Sequence, residues 1–174
     1  MATQPRIAIH AVRTLSGMSV PREEFPEAAT QVFKKGAPVV LTAGYLGECG
    51  ANPALIMGIA TRDGQNGATP GAKSQVVELA HSDTLFLGNI DAGSAGTGVT
   101  AATNRGAMMG LTKHVASGKW SVDNAKATAA AGARVVVWGF WLNAQDGVNQ
   151  AIGDTLGWVL FSFSPAYFQG STVA

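Results

Sequence analysis

The chain has 174 residues, of which 22 are glycine, 47 % are hydrophobic and 13 % are charged, and its formal net charge is +1. Glycine is nearly twice its usual share of about 7 %, and charge is about half its usual ~25 %. This composition excludes a disordered chain, which needs low hydrophobicity and high charge. The lone Cys49 excludes a disulfide scaffold, and the near-neutral balance offers no footprint for nucleic acid.

Pro5, Pro21 and Pro26 punctuate the first 32 residues, which also hold the acidic cluster Glu23, Glu24 and Glu27 beside Arg22. Ile7 and Ile9 alternate with Ala8 and His10 in a short strand-like pattern. Glu27 to Phe33 suits a short helix after Pro26. Residues 1–32 therefore read as an extended N-terminal arm, peripheral to a β-rich domain over 33–174. Removal of residues 1–20 is expected to leave that domain folded. The N-terminus, Met1 to Arg6, has no apolar stretch behind its basic residue, so no secretory signal is expected.

From Val32 onward the pattern is one of short strands. Val39 to Leu41, Leu55 to Thr61, Gln75 to Leu79 and Thr84 to Ile90 are β-branched or apolar runs bounded by turn residues. Asp63-Gly64, Asn66-Gly67 and Pro70-Gly71 mark residues 62–74 as a loop, and Asp91 to Gly98 as another. Met108 to Val115 and Lys119 to Val122 suit a hairpin around Ser117-Gly118. The Ala-rich stretch Asn124 to Ala131 fits a short helix or a loop equally. Val135 to Trp141 and Gly157 to Phe163 are the clearest strands, rich in β-branched and aromatic residues, with a polar loop holding Asp146-Gly147 and Gly153-Asp154 between them. Many short strands with almost no amphipathic helix predict an all-β barrel or sandwich. No apolar run approaches the roughly 20 residues of a membrane-spanning helix.

None of the candidate chemical motifs is complete. Gly93 to Gly98 lacks the spacing of a dinucleotide fingerprint and the Gly-Lys-Ser/Thr of a phosphate loop. His10, His81 and His114 have no metal-ligand spacing. His81-Ser82-Asp83 are chain neighbours, whereas a triad is assembled in space. Cys49 reads as a half-buried loop thiol. Asp146 and Asp154 lack a calcium-loop pattern. The expectation is no catalytic residue, no metal and no cofactor. In Val137-Trp138-Gly139-Phe140-Trp141 both faces of a strand carry large apolar groups, which predicts burial on both faces, within the domain or against another subunit.

The run Phe33-Lys34-Lys35-Gly36-Ala37-Pro38-Val39-Val40-Leu41, then Gly44-Tyr45-Leu46 and Ile56-Met57-Gly58-Ile59-Ala60, resembles the opening of tailed-phage head decoration (cement) proteins. Gly118 to Asp123, Ala133 to Val137 and Gly157 to Phe163 continue the likeness, so that it covers residues 33–61 and 118–163, roughly half the chain. The resemblance implies a compact β-tulip-like domain, commonly a homotrimer. Such a protein sits on the outer surface of a virion, bridges neighbouring major capsid proteins and stabilises the head. An extended arm can add a strand to a partner's sheet edge. Arg6, Ile7, Ile9, His10 and Val12, with Trp138 and Trp141, are the candidate capsid or subunit contacts. Partners would be the major capsid protein and further copies of the chain, with neither nucleic acid nor membrane. Other readings are a head fibre base, a tail tube subunit, a sugar- or ligand-binding β-barrel module, or an enzyme centred on Cys49 or His81.

Overall fold

The computed structural model describes residues 2–50, 53–93, 95–127, 132–141 and 152–169. Among them are eleven strands and two single-turn 3-10 helices, at Ala102–Asn104 and Pro165–Tyr167. In chain order the strands are β1 (His10–Thr14), β2 (Arg22–Pro26), β3 (Pro38–Thr42), β4 (Tyr45–Glu48), β5 (Gly58–Ala60) and β6 (Ser74–Leu79). They continue with β7 (Thr84–Asp91), β8 (Met108–Lys113), β9 (Trp120–Asp123), β10 (Val135–Phe140) and β11 (Trp158–Phe163). The fold is all-β.

The first sheet closes on itself. Strands β7, β11, β10, β8 and β9 follow one another as antiparallel neighbours, and β9 returns to β7 in parallel through Ile90↔Val122 and Asp91↔Asp123. This is a five-stranded mixed barrel. β1 occupies the rest of the β7 edge, from His10↔Leu87 to Thr14↔Thr84. Serving two strands on one edge and β11 on the other, β7 is buried at all eight positions. Closure removes the free edges that an open sheet would expose to other chains. Inside, the rings of Phe86, Phe161 and Phe163 pack with centroids 5.1–5.9 Å apart, edge-on contacts being among the favoured aromatic geometries.

The second sheet runs β2-β6-β5-β3-β4, antiparallel throughout. It curls until Glu27, just past β2, forms a parallel bridge with Leu46 of β4, where the Ala28 N–H donates to the Leu46 carbonyl at 2.8 Å. One core serves both sheets: Val39, Leu46, Ile59 and Val77 of the second, with Phe33 from the β2–β3 connection, join Phe86, Leu111, Val122, Val137 and Phe161 of the first.

Most expected strands are present, Leu55 to Thr61 in the shorter form of β5 and the 108–122 hairpin as β8 and β9. Three expectations are corrected. Glu27 to Phe33 is not helical: Thr30 has φ 54°, which breaks a right-handed helix, and the Glu27 carboxylate accepts backbone N–H bonds from a distant loop. The strand expected at Ile7–Ile9 begins instead at His10. Nor do residues 2–32 lie beside the body. They supply a strand to each sheet, and Ile9 is a core residue at 1 % exposure. Gly36 makes room for it: at φ +84° a Cβ there would stand 2.5 Å from the Ile9 nitrogen. Of the Ala-rich stretch only 124–127 is described, in a turn and loop. Asp146-Gly147 lies outside the described residues.

Candidate interaction surface

The outward face of the barrel over β10, β11 and the start of β8 is mostly apolar; further along β8, the side chain of Lys126 lies over Gly110. Along β11, Val159, Phe161 and Phe163 enter the core, so alternation turns Trp158, Leu160 and Ser162 outward. Along β10, Val135 and Val137 enter the core and Val136 turns out. Val136 pairs with Ser162 on one side and with Met108 of β8 on the other.

A β-bulge then resets the alternation. Val137 opposes Phe161, but Gly139 opposes Leu160, leaving Trp138 as the extra residue. Two residues against one is the signature of a bulge. It brings Phe140 back inside at 8 % exposure and leaves Trp138 outside at 52 %. Trp138 is therefore not buried on both faces of its strand, as its sequence context predicts. Its indole Nε1 donates to the Ser162 hydroxyl at 2.9 Å. This bond holds the ring against the sheet and satisfies its one polar atom. Met108 is 37 % exposed, and Val136, Trp158 and Leu160 are half-buried. None of these outward positions carries a charge. Such a surface, with a half-exposed tryptophan at its centre, has the make-up of a protein-contact surface: aromatic and Met residues are enriched there and charges depleted. Trp141, half-buried just past β10, is tied by its N–H to the Trp158 carbonyl at 3.1 Å.

The N-terminal candidates are engaged within the chain itself. Arg6 Nη2 pairs with Asp91 Oδ2 at 2.7 Å, and its Nη1 donates to the Ser121 hydroxyl at 3.1 Å. Lys119 Nζ donates to the Arg6 carbonyl at 2.9 Å. The Ile7 N–H donates to Asn89 Oδ1 at 2.8 Å, while Asn89 Nδ2 and Trp158 Nε1 donate to the Pro5 carbonyl. His10 Nδ1 is 3.0 Å from the Ala8 carbonyl oxygen. His10 and Val12 sit half-buried in β1, which already adds its strand to β7. The strand addition expected in a partner's sheet is thus made to the chain's own β7.

The other residues weighed from the sequence do not converge. His81 stacks on Phe168 with centroids 6.1 Å apart, and its Nδ1 accepts the Asp83 N–H at 3.2 Å. His114 Nδ1 lies 2.9 Å from the Ser117 hydroxyl in the β8–β9 turn. Cys49 is buried at 4 % exposure, deeper than a half-buried loop thiol. Burial first, and the Glu48 carboxylate second, push its pKa up to about 12, which keeps it a thiol at neutral pH and a poor nucleophile. Glu48 ties the two sheets together, accepting from Trp120 Nε1 and Lys113 Nζ at 2.8 Å each. Among the described residues, no group of three or more His, Cys, Asp or Glu could hold a metal.

Sequence reasoning missed the buried polar frame. Asp91 collects the N–H groups of Ala92 and Gly96 and the Arg6 guanidinium. Asp123 collects the N–H groups of Gly93 and Ala125 and pairs with Lys126. These two aspartates are opposite partners at the seam that closes the barrel. Their only sequence signal was an acid at the end of an apolar run.

A scan against protein-family models finds no match to the chain, and searches of curated proteins and of solved structures find none either.

Proposed function

We propose that this protein is a structural virion component: a decoration protein that binds the outer surface of a tailed-phage capsid, bridges neighbouring major capsid proteins and stabilises the head. The observation that carries the reading furthest is the uncharged outward patch of Met108, Val136, Trp138, Trp158, Leu160 and Ser162, with Trp138 half exposed at its bulge. The resemblance of residues 33–61 and 118–163 to head decoration proteins supplies the capsid as partner. The two fit together physically. A contact repeated over a shell gains from avidity, so each copy needs only a modest apolar patch. A stable closed barrel supports such a patch rigidly, which keeps the ordering cost of binding low. Further copies of the chain, in a homotrimer, would share the lattice position.

The test is co-sedimentation of the purified protein with expanded heads of a phage that encodes it. Saturable binding at a fixed ratio to the major capsid protein, with a higher melting temperature of the heads, is the expected result. Heads that sediment without the protein at micromolar concentration overturn the reading.

A further inference from the structure

Three buried side-chain oxygens at one end of the second sheet have no donor among the described residues: Glu27 Oε1, Asn66 Oδ1 and Gln75 Oε1. Glu27 and Gln75 are 0 % exposed and Asn66 is 3 % exposed. Buried polar atoms in folded proteins are almost always satisfied, so three orphans on neighbouring residues need a physical cause.

The three residues belong to one knot. The Glu27 N–H donates to the Lys73 carbonyl at 2.8 Å, which extends the β2–β6 ladder by one rung. Gln75 stands two residues beyond Lys73, so Glu27 and Gln75 are diagonal neighbours on one face, at the ~7–8 Å spacing that long side chains span. Asn66 wraps around the same glutamate. Its N–H and that of Gln65 each donate to Glu27 Oε2 at 2.9 Å. Its side-chain Nδ2 donates to the carbonyls of Glu27, Ala28 and Thr69 at 2.8–2.9 Å. Those carbonyls can only accept, so they fix which end of the amide is nitrogen. Gln75 Nε2 is fixed likewise by the Arg62 carbonyl at 2.9 Å. The loop over residues 62–66 is thus clasped from both sides, and each side-chain atom of the three residues left without a partner is an oxygen.

Charge decides what fits. Among the described residues Glu27 makes no ion pair, and a buried carboxylate without a compensating charge is costly. A water molecule has two protons for three acceptors and brings no charge. A single cation held by the three oxygens would satisfy them and neutralise the carboxylate, and oxygen-only ligands select hard ions. We propose that Glu27, Asn66 and Gln75 bind one hard cation, buried at the seam where Glu27 meets Leu46. The single carboxylate balances one unit of charge, which favours Na⁺ or K⁺ over Ca²⁺. This site is independent of the capsid reading.

The test is the melting temperature of the full chain in NaCl, KCl or CaCl₂ against tetramethylammonium chloride at matched ionic strength. In the wild type the bound ion raises the midpoint by roughly 3–5 °C per tenfold increase above its dissociation constant. In Glu27→Gln and in the volume-keeping Gln75→Met the ion-specific rise disappears. Should Glu27→Gln fail to fold, Gln75→Met carries the comparison. Sodium-23 line broadening by the wild type, relieved by excess KCl, needs no variant at all. A rise with CaCl₂ alone keeps the site and overturns its charge preference. Equal midpoints in every salt, absent line broadening, or an ion-specific rise that survives in both variants overturns the proposal.

Discussion

Arg6 reaches from the N-terminal segment to Asp91 at the far end of β7, Nη2 to Oδ2 at 2.7 Å, with side-chain exposures of 13 % and 0 %. Asp91 is also the last residue of β7, whose pairing passes from β1, ending at Leu87, to its parallel partner β9 at Ile90 and Asp91. One ion pair therefore locks the first residues of the chain over the seam of the barrel. The segment is a structural strap of the chain's own fold.

The strap predicts the result of two changes. Arg6→Ala leaves the Asp91 carboxylate buried and without its cation, a loss of about 3–5 kcal/mol for a broken buried pair. Urea unfolding measures it, and a loss under about 1 kcal/mol would mean that the two N–H bonds of the 92–96 loop suffice for Asp91. Deleting residues 1–20 removes Arg6, Ile9 and β1 together. The shortened chain should show no cooperative unfolding transition, contrary to what its sequence suggests.

Trp138→Ala should cost little stability. The ring is half exposed, so its removal opens no cavity, and a change of about 1 kcal/mol or less is expected, as for surface positions. Phe161→Ala, in the centre of the aromatic cluster, should cost about 3–5 kcal/mol. Equal losses in the two variants, measured by the same denaturant titration, would place Trp138 in the core after all.

Gly58→Ala should be strongly destabilising. A Cβ at Gly58 would lie 2.2 Å from the backbone carbonyl oxygen of Glu78, within the β5–β6 pair. Backbone cannot swing aside as a side chain can, so the strands must part, at a cost of about 1–3 kcal/mol or more. Thermal unfolding measures the loss.

Cys49 predicts an alkaline limb in the stability curve. Its thiol ordinarily titrates near 9.0 and is pushed up to about 12 in the fold. Between these values the native state holds a proton that the unfolded state releases, so stability falls as pH rises. The advantage of the buried thiol is complete below pH 9 and is lost towards pH 12. The slope is at most about 1.4 kcal/mol per pH unit. Cys49→Ala should flatten this limb, and a thiol reagent at pH 8 should react only as fast as the protein opens.

The sequence made the fold class legible because β7, β10 and β11 are dense in β-branched and aromatic residues with glycine or polar turns between them. β2 was hidden because Arg22-Glu23-Glu24-Phe25-Pro26 has little β-propensity. It is held by β6, and its charges and proline suit an exposed edge. The exposure of Trp138 was hidden because Phe140, two residues on, lies on the same face by plain alternation and makes that face look apolar; the bulge moves Phe140 to the core side and leaves no periodic trace. The roles of Glu27, Asn66, Asp91 and Asp123 depend on loops that meet only in three dimensions.

Binding of Trp138→Ala to expanded phage heads, compared with wild type in the same sedimentation assay, tests the central claim most directly. The account predicts a variant that melts within a few degrees of wild type yet binds at least tenfold more weakly. Undiminished binding by a folded Trp138→Ala protein would contradict it.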